Sequence, residues 1–375
     1  MESGVDGSIR PTVESGIERN FGEVNNIRVG SETVRVSFAE FSPSLSAEEK
    51  ERSDPSKAIV YLPGWPFKAD QPITFGIPSN LATRSGVRTF SIDTRVIKKS
   101  GPDTLYLEAE GIARFLHLIG IKGVTIVGHS EGTIRAVNLA AILEKDNPES
   151  VNGVVLINPM GIDNRNLKDL IKGFVINSFR VAPEERKKPG AVTLKGEEKQ
   201  FVQGLWRDIA LYGGNYLRTL KSQLRNLVTV NPYLGEIKAP VVIMATDRDL
   251  ISDLRQYLPT SEVGEKLPPS QPEQELNEWV GHKWNGMKPE DQAEYGSKEA
   301  FMKQYLAFYR RREEMARLSQ ARQQYLKEKL LPQAQEVVFL VGTKHADHGG
   351  IHDSRPEKAA HIIYKIFDRL RRPKL

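Results

Sequence analysis

The sequence predicts an α/β protein with a mostly parallel central sheet flanked by helices, and three observations predict it. Short apolar runs rich in β-branched residues, AIVYL at Ala58–Leu62, VTIV at Val124–Val127 and VNGVVLIN at Val151–Asn158, have the composition of strands buried on both faces. Segments with helical spacing of apolar residues alternate with these runs, as right-handed crossovers between parallel strands require. The length of 375 residues, with 39% hydrophobic and 27% charged, suits either one α/β core carrying large insertions or two domains.

Taken in order, residues 1–25 lack periodicity and are expected to form a flexible tail. From Asn26 to Phe41, apolar and polar residues alternate around Gly30-Ser31-Glu32, which predicts a hairpin, and a polar loop follows to Ser56. Ala58–Leu62 is the first buried strand, ended by Pro63-Gly64-Trp65-Pro66, and Gly86–Asp93 is the next. A helix is expected from Pro102 or Asp103 to Ile119, with Leu105, Ile112, Phe115, Leu116 and Ile119 on one face. A second helix carries Ile134, Val137, Ala141 and Ile142 and stops before Asn147-Pro148, because a residue preceding proline is biased away from the helical conformation.

The strand rhythm is lost from Pro159 to Ile237, a helix-like stretch containing Phe174, Phe179, Phe201, Trp206, Tyr212 and Tyr216. It returns at Ala239–Ala245 and lapses again from Leu254 to Gln335. There a proline-rich linker precedes Trp279, Trp284 and a long amphipathic helix with Phe301, Tyr305, Phe308, Met315, Leu318 and Tyr325 in its stripe. Val337–Val341 is the last strand and Glu357–Leu370 the last helix, with Ala360, Ile363, Phe367 and Leu370 inward. There is no internal repeat.

Composition excludes some chemistry. With no cysteine, the chain holds no disulfide, cysteine nucleophile or thiolate-ligated metal. No run approaches the ~18 apolar residues of a membrane span, and the amino-terminal sequence has neither the basic nor the apolar region of a secretory signal, so a cytoplasmic location is the default expectation. The net charge of +5 is local in origin: residues 297–330 hold nine Lys/Arg against four Asp/Glu, whereas residues 1–55 hold six against eleven. Such a distribution argues against a nucleic-acid partner. It reads as a solvated basic helix, with contact to an anionic membrane surface as the alternative.

The run VTIVGHSEGT, Val124–Thr133, carries the chemistry. It places Gly128-His129-Ser130-Glu131-Gly132, a G-x-S-x-G pentapeptide, between a strand and a helix. A serine at so sharp a turn occupies a strained backbone conformation that exposes its hydroxyl, and the two glycines remove the Cβ atoms that would clash across the turn. The same turn directs the Glu131 N–H toward a developing oxyanion, at the positive end of the helix. The bland alternative is a tight turn with a buried serine.

At these residues the sequence resembles the α/β-hydrolase superfamily, over about 26–158, 238–253 and 336–373. The resemblance implies an α/β-hydrolase fold whose two largely helical insertions, 161–237 and 254–335, form a cap over core segments 26–160, 238–253 and 336–375. It implies a Ser-acid-His order and a serine hydrolase of the esterase or lipase kind acting through an acyl-enzyme, with Ser130 as nucleophile. The acid falls at Asp249, in Thr246-Asp247-Arg248-Asp249 where relatives have G-x-x-D, with Asp247 as the alternative. The base falls at His345 by alignment of VVFLVGTKH, while Gly349-Gly350 suits His348, and His352 comes third. His117 and His361 lie in helices and His129 is the variable elbow residue.

Pro63-Gly64-Trp65 stands where relatives carry a His-Gly segment, which makes the Trp65 N–H the second oxyanion donor beside that of Glu131. Glu131 also sits four residues before Arg135, a helical pair that would hold its charge away from the oxyanion. Asp93-Thr94-Arg95 lacks the glycine of the family's corresponding segment and is assigned no role. The implied substrate is a small, apolar acyl ester, with no metal and no cofactor. Carbon–carbon hydrolysis, peptidase, thioesterase and acyl-transfer chemistry would use the same residues, and a non-catalytic binding protein on this fold is the alternative from another class.

Overall fold

The β-branched runs pair as their composition requires. The structure, a computed structural model, describes residues 12–14, 17–43, 54–64, 68, 69, 71, 74–96, 104–162, 168, 229–246, 273–342 and 356–371. Among the described residues nine strands form one sheet: β1 Thr12–Glu14, β2 Ile17–Val29, β3 Glu32–Pro43, β4 Lys57–Leu62, β5 Thr89–Val96, β6 Gly123–His129, β7 Val151–Ile157, β8 Val241–Thr246 and β9 Val337–Gly342. Their spatial order is β1-β2-β3-β5-β4-β6-β7-β8-β9. The first three strands and their junction with β5 are antiparallel. From β5 through β4, β6, β7 and β8 to β9 every pairing is parallel.

The helices of this sheet unit are α1 Gly76–Ser85, α2 Thr104–Leu118, α3 Gly132–Asp146 and α7 Pro356–Arg371. Side chains alternate along a strand, so each face needs its own cover. On one face Ile59, Tyr61, Val127, Val155, Ile157, Val242 and Met244 pack with Ile77 and Leu81 of α1 and with Ala360, Ile363 and Phe367 of α7. The other face meets α2 and α3, with Phe38, Phe90 and Phe115 in mutual ring contact. A sheet clothed on both sides explains why its parallel strands read as unbroken apolar runs.

Two expectations are corrected. The tail expected over residues 1–25 contains β1 and most of β2, because β2 pairs with β3 along its length and Ile17 and Phe21 pack with Phe41 and Phe75. The backbone ladder holds a strand that its polar side chains do not advertise. Helix α1 had no expected counterpart: Gly76 and Pro78 dilute its pattern, although Ile77, Leu81 and Ala82 are buried. Gly86 ends it with φ 67°, and β5 therefore starts at Thr89 rather than at Gly86.

The chain divides into two compact units, Met1–Leu254 with Lys327–Leu375, and Arg255–Leu326. In the second, α4 Glu273–Asn285, α5 Pro289–Tyr295 and the long α6 Lys298–Tyr325 pack around buried Val280 and Phe301, joined by Trp284, Met287, Tyr295 and Tyr305. The Ser297 hydroxyl caps α6 by accepting from the Ala300 N–H at 3.1 Å. The expected first insertion, 161–237, lies almost wholly outside the described residues, as do Phe174, Phe179, Phe201, Trp206, Tyr212 and Tyr216 and the linker before Glu273. Among the described residues no helix is long and apolar enough to cross a membrane.

Close backbone approach at the β6–α3 turn makes a first prediction. A Cβ on Gly132 would lie 2.1 Å from the Leu62 carbonyl oxygen, whereas one on Gly235 would meet its nearest neighbour at 3.7 Å. Gly132→Ala is expected to cost about 3 kcal/mol or more, and Gly235→Ala to stay within about 0.5 kcal/mol. Thermal unfolding of the two variants checks both.

Candidate active site

Strand register brings the site's segments to one edge of the sheet. Leu62 of β4 lies opposite Gly128, His129 of β6 opposite Ile157, Ile157 opposite Met244, and Thr246 of β8 opposite Gly342 of β9. All these parallel strands therefore end together, and Ser130 follows directly from β6. This is the edge at which open α/β sheets bind ligands.

Ser130 has φ 54°, in the left-handed region that non-glycine residues seldom occupy. Such a conformation costs roughly 1 to 3 kcal/mol and persists only where the surroundings enforce it. Here its N–H donates to the Ile157 carbonyl at 2.9 Å, and its carbonyl accepts from the Thr133 N–H at 3.0 Å and from the Thr133 hydroxyl. That hydroxyl in turn accepts from the Met160 N–H at 2.9 Å, tying the turn to the end of β7. A Cβ on Gly128 would meet the Gly132 carbonyl at 2.7 Å and Ala136 Cβ at 2.8 Å, so both glycines of the pentapeptide are sterically required.

Gly64 closes the site from β4. A Cβ there would lie 2.7 Å from Ser130 Cβ and 3.1 Å from the His129 carbonyl, so the loop backbone rests directly against the serine. Glu131 is the cap residue of α3, where the helix presents its positive end. Ser130, Glu131 and His129 are all buried.

Behind the turn lies a buried charge cluster. The Arg135 side chain, on α3, donates from Nη2 to the Pro63 carbonyl at 2.8 Å and to Glu131 Oε2 at 3.3 Å. Its Nη1 donates to Thr94 Oγ1 at 3.4 Å and lies 3.9 Å from Asp93 Oδ1. Burial opposes the guanidinium charge, but Glu131, Glu108 and Asp93 outweigh it and raise its pKa. Glu108, on the apolar face of α2, is pushed up to about 8, chiefly by burial and further by Glu131 and Asp93, against the lowering influence of Arg135 and of a hydrogen bond with Thr94.

The structure thus brings together Ser130, Glu131 and the Pro63–Gly64 backbone, and forms the expected Glu131–Arg135 pair. Asp93 and Thr94, assigned no role from the sequence, adjoin that pair, and Glu108 was missed altogether. Its signal was present as a carboxylate inside the apolar stripe of α2, between Leu105 and Ile112. Trp65, Asp247, Asp249, His345, His348 and His352 lie outside the described residues. Asp249 and His345 each come three residues in sequence after the described ends of β8 and β9, Thr246 and Gly342. His117 is exposed on α2, and His361, on α7, has Nδ1 3.3 Å from an Arg84 guanidinium nitrogen. Among the described residues no group of three His, Asp or Glu is placed to hold a metal ion.

A family model for the alpha/beta hydrolase fold matches residues 57–262, more than half of the chain. The chain is an α/β-hydrolase. Among solved structures, this hydrolase is similar to a membrane phospholipase A described as a bacterial virulence factor, at 15% identity over 94% of this chain and 87% of the other, with a TM-score of 0.50. It is also similar to a candidate lipase from Acinetobacter baumannii AYE, at 14% identity over 95% of this chain and 92% of the other, with a TM-score of 0.51. At such identities the likeness concerns the fold. Among curated protein sequences none matches significantly.

The titration of Glu108 makes a prediction for this hydrolase. Unfolded, the carboxyl titrates near its ordinary 4.5, and folded near about 8. Between these values the folded state holds one proton more than the unfolded chain, so this group's contribution falls by about 1.4 kcal/mol per pH unit and levels off above the folded value. Glu108→Gln keeps the neutral shape and is expected to gain stability relative to wild type as pH rises from 5 to 8. Paired urea unfolding across that range checks it, and a constant difference would contradict the assignment.

Proposed function

We propose that this hydrolase cleaves a carboxylic ester through an acyl-enzyme, with Ser130 as nucleophile. The observation that carries the reading is the strained, left-handed backbone of Ser130 at the carboxyl edge of the parallel sheet and the amino-terminal end of α3. Strain of this kind at a ligand-binding edge is a functional signature, because a merely structural turn would relax to glycine or asparagine. In the proposed reaction Ser130 Oγ bonds to the ester carbonyl carbon as its proton passes to a histidine, and the carbonyl π pair moves onto oxygen.

Protonation by that histidine releases the alcohol, and water then removes the acyl group by the same steps. The base is His345, with His348 as the alternative. The orienting acid is Asp249, with Asp247 as the alternative. The amides of Glu131 and Trp65 are the proposed oxyanion donors, a reading supported by the helix end at Glu131 and the contact of Gly64 with Ser130. The lipase and phospholipase among the similar structures favour an apolar acyl ester as the substrate to test first. Carbon–carbon, peptide and thioester hydrolysis, and acyl transfer, would draw on the same residues.

Labelling by a fluorophosphonate probe tests the nucleophile. Wild type is expected to label and Ser130→Ala to lose both labelling and p-nitrophenyl butyrate hydrolysis while staying folded; equal labelling of the two would sink the reading. Of His345→Ala and His348→Ala, only one should abolish turnover, by at least about 1,000-fold. If both variants keep wild-type rates, neither histidine is the base.

A further inference from the structure

The β4–β6 ladder ends at the Leu62–Gly128 pair, and Pro63 has no N–H to donate. Its carbonyl accepts from Arg135 Nη2 at 2.8 Å. Gly132, one turn earlier on α3, lets the helix approach the same loop, since a Cβ there would lie 2.7 Å from the Pro63 oxygen. Two points on one helix face thus fix the segment whose next residue, Gly64, abuts Ser130.

We propose that Arg135 is a positioning residue for the reaction at Ser130, holding the Pro63–Gly64 backbone at the spacing from the serine that oxyanion stabilisation requires. The inference rests on Ser130 being the nucleophile. Arginine suits the task because its planar guanidinium engages several acceptors at once. With Nη2 donating also to Glu131, Nη1 donating to Thr94, and Asp93 beside it, the prong on Pro63 is held in one orientation. A displacement of the loop by about 1 Å is enough to cost roughly 100-fold in rate, since the donors must meet the position the oxyanion will occupy. Arg135 does not itself touch the reacting atoms.

A purely structural role, neutralising buried carboxylates, would instead lower stability and leave the chemistry alone. The test compares Arg135→Met and Arg135→Lys with Glu144→Gln. Glu144 is a buried carboxylate that accepts the N–H groups of Lys238 and Ala239, both at 2.7 Å, and so controls for lost stability away from the site. For p-nitrophenyl butyrate, kcat is expected to fall about 100-fold in Arg135→Met and about 10-fold in Arg135→Lys, with KM within about two-fold of wild type.

The Ki of an aryl trifluoromethyl ketone should rise by the same factor as kcat falls. In that adduct Ser130 Oγ bonds to the ketone carbon, its proton goes to the histidine and the carbonyl pair becomes an oxyanion. Glu144→Gln is expected to lower Tm with kcat unchanged. If Arg135→Met does not fold, Arg135→Lys alone decides. Arg135 variants that keep wild-type kcat and Ki while losing Tm overturn the positioning role. A wild type without Ser130-dependent labelling would overturn the nucleophile reading, and this inference with it.

Discussion

The left-handed backbone at Ser130 is the constraint on which the rest of the site depends. A residue with a Cβ leaves that conformation unless the structure on both sides holds it, and the holding comes from three directions. The sheet supplies the Ile157 carbonyl, α3 supplies the Thr133 hydroxyl and amide, and the β4 loop closes over the turn at Gly64. Each depends on parallel strands that end together. The buried sheet positions the serine more than any single contact does, because one strand out of register would move a ladder carbonyl away from the Ser130 amide.

The close fit leaves no room for side chains at Gly128 and Gly132, and it brings charge into the interior. Arg135 reaches the Pro63 carbonyl from a buried position, where an unpaired guanidinium would cost several kcal/mol. Glu131 and Asp93 offset it from two elements, α3 and β5. A fourth group, Glu108, would make the cluster doubly negative if it ionised, and its raised pKa shows how the interior avoids this: the proton stays on. The cluster links β5, α2, α3 and the β4 loop through polar contacts behind the Ser130 turn.

Much of the fold was legible in the sequence. AIVYL, VTIV and VVLI are buried on both faces, and their composition says so without reference to any neighbour. The amphipathic stripes of α2 and α7 likewise declared their buried sides. What escaped notice had no such pattern. The ends of β2 are secured by backbone pairing and by Phe41 and Phe75 distant in sequence, and α1 opens with glycine and proline yet packs its Ile77 and Leu81 against α7. The candidate site was legible to the extent that it is local: Ser130, its two glycines and the Glu131–Arg135 pair lie within eight residues.

By itself, then, the sequence determined a doubly covered α/β sheet and the sharp strand-to-helix turn at Ser130, because strand composition, helical spacing and a five-residue motif are short-range properties. Only the tertiary structure decided that Asp93, Thr94 and Glu108 meet Arg135, and that Arg135 grips Pro63. Those residues come from four segments that are unrelated in sequence, and what joins them is strand order, which sets β5 and β4 side by side in front of α3. A carboxylate such as Glu108 reads as an interruption of a helix's apolar face until the charge it faces across the interior is known.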